Sequence, residues 1–554
     1  MEIKYYIIFI LIILSFGVNA QETNTWERPQ GELENVELDV IGSKEIKLNN
    51  ANRIYGPIPP QPVNRATPEL SYSFRNFSYQ SGDAGIRLRP RPVVAQPESK
   101  LYGNYFRVGF GNYITPLAEA YLTNKRNKDY SVGIHARYLN AFKGPVDGKN
   151  SGSGQLNTRL FGNMYGDKAT VFGNLAFDRD NLHYYGYPKE DSLVNEEDIR
   201  QHFNQLKLET GMRNTNDEDD FQYDVRLGFS NIADHYAAHE SDIYARVRTA
   251  LDVTEDAIVH TNGSIDYISH KDTLDDGSKR LLVSVESFIE YQTQNFKLQA
   301  GAELAYSGDS LAGEDGLHFY PMAGISYLMG EGFRLYLKLD GGMKLMSMMS
   351  LAEENAYVPA SIYQANGNML QQLSTGLNGR IGSDLGFHLG VNWEKWKNAH
   401  FYNNLNADIS KFEVLYDTGA VSILSPFASI EYNKSELYRV SLRGDYYAYT
   451  MSSLDEAWHR PDYRLAITGR INAGDKIFFT PELFVLGGIK ARGLNDEIVH
   501  MKTVIDLNLG VEYVLNDRLS AFLSMKNMLG NHYMLFNHYP VRGFQALGGV
   551  TLKF

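Results

Sequence analysis

Two stretches of the chain carry residue types at spacings that could hold a metal. His235 and His239 in HYAAHE stand four apart, the separation that puts two imidazoles on one helical turn. No third ligand lies nearby, although a zinc site needs at least three protein ligands, so the stretch reads as a surface loop. Asp272, Asp275 and Asp276 in KDTLDDG offer the oxygen ligands that calcium takes. The spacing and the closing Glu of an EF-hand are missing, so no calcium site is assigned. G-x-S-x-G, H-E-x-x-H and P-loop signatures are absent, which removes the commonest hydrolase, metalloprotease and nucleotide-binding chemistries. With no cysteine in the chain, disulfides, thiolate metal sites, cysteine nucleophiles and a lipid-anchored N-terminal Cys are excluded. A Ser, His and acid assembled from distant strands is the one catalytic arrangement left open. The expectation is a chain with no cofactor and no enzymatic chemistry.

The remaining chemistry-bearing residues are charges at every second position of apolar stretches. In Phe333 to Asp340, one face carries Phe333, Leu335, Leu337 and Leu339, and the other carries Arg334, Tyr336, Lys338 and Asp340. Ile505 to Leu515 alternates in the same way, with Asp506 and Glu512 on its polar face. Period two means strand. An arginine on the lipid side of a membrane strand costs about 2 to 4 kcal/mol at the midplane, so these charges are expected to face a lumen. That assigns Arg107, Arg334, Lys338, Arg439 and Arg443, with Asp340, Asp445, Asp506 and Glu512, to a polar interior of mixed sign. Such cations could bind anionic solutes, but pairing with lumenal carboxylates or with a segment filling the lumen is the commoner fate of enclosed charge.

These faces must be positioned by a closed sheet. From Leu101 onward the chain reads as strand, turn, strand, loop, with candidate strands starting near 101, 115, 128, 153, 168, 197, 218, 238, 256, 279, 295, 317, 332, 370, 384, 412, 435, 461, 476, 504, 518 and 543. Every second connection is short, as in Asp252 to Asp256 and Leu515 to Arg518, while most of the others are long. A barrel with both termini in the periplasm has short turns on that side and longer loops outside, and the phase here agrees. The fold class is therefore all-β: a transmembrane antiparallel β-barrel of about 22 strands, within a range of 18 to 24. A mean hydropathy of −0.34 fits, because only alternate residues need be apolar. No apolar run of about 20 residues follows the N-terminus, which excludes a helical membrane protein. The net charge of −13 argues against a nucleic-acid partner.

Residues 1–20 read as a secretory signal, with Lys4, the apolar run Tyr5 to Phe16 and an A-x-A-like site at Val18-Asn19-Ala20. Residues 21–100 hold nine of the 18 prolines, which disfavours regular structure and suggests an irregular periplasmic or lumenal segment. Residues 101–554 form the barrel.

The closing stretches, KNMLGNHYM before the last loop and RGFQALGGVTLKF after it, resemble the C-terminus of TonB-dependent receptors. LYGNYFRVGFGNYITPLAEAYLTNKRNKDYSVGIHARYLNA is similar to the first strands of a receptor-like barrel group common in Bacteroidota. The resemblance covers roughly residues 101 to 554. It implies a Gram-negative outer-membrane location, outer-membrane lipids as surroundings, and recognition of the terminal aromatic Phe554 by the barrel-assembly machinery. TonB-dependent receptors carry a globular plug before the barrel, and here about 80 Pro-rich residues stand in that place, including a box-like Glu37 to Gly42. A 22-stranded lumen must then be filled in one of three ways. Residues 21–100 occupy it, outer loops such as the 28 residues from Met346 to Leu373 fold inward as a lid, or a periplasmic or lipoprotein partner caps it. The function implied is solute passage or binding, passive or partner-gated. The alternative is a non-catalytic structural subunit of an outer-membrane assembly for secretion, surface display or barrel insertion.

Overall fold

The computed structural model describes residues 102–554 apart from 125–126, 189–193, 217–218, 274–276, 310–312, 331, 360 and 494. The two N-terminal segments read from the sequence, 1–20 and 21–100, lie outside these residues, as do Asp275 and Asp276.

One antiparallel sheet of 23 hydrogen-bonded segments makes the wall. Tyr438–Tyr446 and Ala448–Thr450 both pair with Phe412–Lys434 and are a single strand interrupted at Tyr447, so the wall has 22 strands. Closure comes from the first strand, Tyr105–Gly111, lying antiparallel to the last, Gln545–Lys553, with Tyr105 opposite Lys553 and Gly111 opposite Leu547. A closed barrel leaves no sheet edge, so every strand finds both hydrogen-bonding neighbours without water.

The alternation read from the sequence decides which face points out. Leu335 and Leu337 are 47% and 44% exposed, a degree that large apolar side chains sustain when lipid rather than water covers them. Their neighbours Tyr336 and Lys338 turn the other way, toward the barrel interior, and are less exposed. Aromatic side chains cluster on the outward face near the short turns, as in Phe296 and Tyr327, whose rings lie 4.6 Å apart. Interfacial girdles of this kind suit rings that are apolar in body and polarizable at the edge.

Connections segregate by end. Ten short turns lie at the end that holds Tyr105 and Lys553, and the loops at the opposite end are mostly longer, the three residues 112–114 being the exception. The turn between Tyr463–Ala473 and Ile477–Gly487 places Gly474 and Asp475 at φ 68° and 60°, the left-handed backbone that primed hairpin turns require. Two expected loops are shorter than the sequence suggests, because their flanking strands continue past the membrane. Gly367–Ile381 starts six residues before Leu373, with a bulge between Met369 and Gln371, and Leu385–Asn404 runs through half of Ala399 to Ser410, a stretch the sequence reads as another outer loop. At 20 and 23 residues, Leu385–Asn404 and Phe412–Lys434 are about twice what a tilted crossing needs. Their surplus builds a raised wall at the loop end.

Candidate functional site: the loop-sealed mouth

The charges that the sequence assigns to a lumen settle in three ways. Lys338 pairs with Asp340 at 2.6 Å, and Arg443 with Asp445 at 2.8 Å. Both pairs are two residues apart on one strand, which puts them side by side on one face. Asp506 accepts a hydrogen bond from Tyr533 Oη at 2.6 Å, and Glu512 accepts one from Ser520 Oγ at 2.7 Å. Arg107 lies 3.9 Å over the Phe522 ring, a cation–π contact. Arg107, Arg334 and Arg439 form no ion pair among the described residues, and Arg334 lines a cavity of about 470 Å³ near the turn end. Phe554 stacks on Phe106 at 5.5 Å, and its N–H donates to the Asn104 carbonyl at 3.0 Å.

The largest apolar core lies among the loops rather than in the barrel. Loop 345–366 carries a short helix, Met348–Glu354, started by Ser347 in a capping box: Ser347 Oγ accepts from Ser350 N–H, and Ser350 Oγ is bonded to the Ser347 N–H in return. The helix buries Met348, Leu351 and Ala352, and the chain on either side buries Met346 and Val358. Their partners come from another part of the wall (Leu182, Phe203, Ile232) and the loop after it (Ala238), from the raised hairpin (Tyr402, Phe412) and from the last loop (Tyr539). The Tyr357 and Tyr539 rings stack, and Tyr185 meets both edge-on. A single core thus joins loop 345–366 to strands from two parts of the wall and to the last loop at the mouth of the barrel.

Polar contacts fix this cover to the walls. Tyr184 Oη donates to the Val358 carbonyl at 2.8 Å, and the Phe412 N–H donates to the Tyr357 carbonyl at 3.0 Å. Glu240 accepts the Met348 N–H at 2.8 Å, and buried Arg280 donates to the Met346 carbonyl at 2.7 Å. Glu354, at the helix end, receives His400 at 2.6 Å, Tyr402 Oη at 3.0 Å and an ion pair from Arg460. Burial works against charge on Glu354, but Arg460 and His400 outweigh it and hold the carboxyl well below its usual range. Burial likewise holds the Tyr184, Tyr185 and Tyr539 hydroxyls protonated, far above ordinary phenol. His459 sits between Phe412 and Phe536, with Nδ1 2.7 Å from the Tyr402 carbonyl and Nε2 3.2 Å from the Asn537 N–H. The carbonyl can only accept and the N–H can only donate, so the ring is the neutral Nδ1–H tautomer. Burial pushes its pKa down to about 4.

The two metal readings separate. His235 stays in a loop and packs against His202, ring centroids 5.1 Å apart, while His239 begins the strand His239–Thr254. Asp272 is bonded to His270 at 3.1 Å, beside Glu240. Among the described residues no group of three or more His, Asp or Glu could hold a metal. The sealing residues were not found from the sequence beyond the expectation that a long loop could act as a lid; the Ser347–Ser350 cap was the one local signal for its helix.

No protein-family model and no curated protein matches the chain. Solved structures do match its fold. The FrpB iron transporter from Neisseria meningitidis (F3-3 variant) aligns with TM-score 0.64 at 11% identity over 82% of each chain. The ferric-catecholate import receptor Fiu from E. coli K12 aligns with TM-score 0.63 at 10% identity, over 83% of this chain and 82% of that one. The siderophore receptor PirA from Pseudomonas aeruginosa aligns with TM-score 0.57 at 11% identity, over 81% and 79%. These identities speak to fold alone. In fold, the chain is a TonB-dependent receptor-like β-barrel.

Proposed function

We propose that this chain is an outer-membrane barrel that admits or binds a solute only when its loop cover opens, in response to the solute or to a partner, and that it performs no chemistry. The observation that carries this reading is the apolar core joining loop 345–366 to two parts of the wall and to the last loop. A pore that stood open would leave such a core in water. Residues 1–20 would direct export, and Phe554 at the turn end would serve the assembly machinery.

Cells offer the test. Replacing 346–366 with a short Gly–Ser linker should let a large hydrophilic antibiotic such as vancomycin enter, while the unaltered chain should exclude it. Equal entry through both would remove the gated reading. The same seal also favours a second reading, a permanently closed scaffold in a membrane assembly. That reading expects stoichiometric co-purifying partners and no entry through either form.

A further inference from the structure

Five arginines project into the interior near the turn end from two pairs of adjacent strands: Arg334 and Arg380 from one pair, Arg439, Arg443 and Arg470 from the other. Arg443 is neutralised by Asp445 at 2.8 Å. The other four have no carboxylate partner among the described residues, and all four are exposed to the interior. Arg439 and Arg470 are register partners, opposite each other on neighbouring strands. Like charges so placed repel, and a sheet that keeps them without an acid between them has left room for an external one. Arg334 and Arg380 line the cavity of about 470 Å³ together with His388, Ser429 and a single acid, Glu431. The register runs Arg380, Gly386, Glu431, Ser441 across four strands, with Arg439 one inward-facing position beyond Ser441. Three strand spacings, about 14 Å, therefore separate the strands of Arg380 and Arg439, the nearest members of the two pairs, within reach of long side chains converging on one ligand, while Arg334 and Arg470 flank them one strand further out on either side. In two other sectors at this end cations meet acids: Lys297 pairs with Glu290, and Asp224 with Arg226 between Arg213 and Arg248, while Arg107 rests on the Phe522 ring.

We infer that this sector is a binding site for a multivalent oxyanion. Guanidinium groups present paired N–H donors that match phosphoryl or carboxylate oxygens, and within a walled cavity their attraction is screened less than on an open surface. The site is independent of the loop cover, so it holds whether or not the barrel conducts.

Equilibrium dialysis of the full chain in detergent against radiolabelled inorganic pyrophosphate at low salt tests it directly. Saturable binding is expected. An Arg439→Gln/Arg470→Gln variant should bind at least about tenfold more weakly, since each lost charge-assisted hydrogen bond is worth more than 1.4 kcal/mol. Arg439→Lys/Arg470→Lys should retain part of the affinity, and Arg213→Gln/Arg248→Gln on the opposite wall should match the parent. A heat-dependent gel shift confirms that each variant is a folded barrel. Absence of saturable binding by the parent, or an equal loss in the Arg213/Arg248 variant, overturns the assignment.

Discussion

His459 is one buried group through which acid should weaken the loop cover, alongside His400 and His538, whose pKa values burial also lowers. The folded pKa of His459, about 4, lies below the ordinary value of 6.5, so the opened state binds the proton more readily. Closure is then at full strength above pH 6.5 and weakens as pH falls from there toward 4. Over that window the loss approaches about 3 kcal/mol, because each pKa unit is worth about 1.4 kcal/mol and the ring is 8% exposed. Protonated Nε2 would face the Asn537 N–H donor to donor. Hydrogen exchange in 345–366 should accelerate between pH 6.5 and 5, and His459→Gln should reduce that dependence; a variant with the parent's full pH dependence would exclude the role. At this scale the sequence was partly legible. Lys338 with Asp340 and Arg443 with Asp445 are found by counting two along a strand. Glu354, His400 and Arg460 are not, because the chain that joins them is a loop, then two strand pairs, with no period linking their positions.

Among elements, the strands could be read because lipid imposes an apolar face at every second residue, and all 22 begin within four residues of the positions expected from that pattern. The loops obey no such rule. Their order comes from packing between segments far apart in the chain, such as Tyr185 on Pro540 and Arg542 on Ser153, and no local propensity encodes it. The helix Met348–Glu354, at seven residues, is too short to persist alone and exists because Met348 and Leu351 are buried in the shared core. Leu351→Ala should therefore weaken closure by about 2 to 5 kcal/mol while leaving the barrel intact. Limited proteolysis should cut 345–366 in that variant at protease levels the parent resists, with an unchanged heat-dependent gel shift. Cleavage at the parent's rate would mean that Leu351 does not hold the cover.

For the whole molecule, the barrel wall and the sealed mouth make opposite demands. The wall is wide enough for an aqueous passage, and the loop end is packed like the core of a small domain. The raised strands Leu385–Asn404 and Phe412–Lys434 reconcile the two by lifting a rigid sheet above the membrane, on which loops from around the circumference can pack. Closure by the loops is the central claim, and planar-bilayer recording with the full chain tests it most directly. The parent should be silent or nearly so, and the same chain with 346–366 replaced by a Gly–Ser linker should conduct in large, discrete steps. Large steps from the parent, equal to those of the loop-replaced chain, would contradict it.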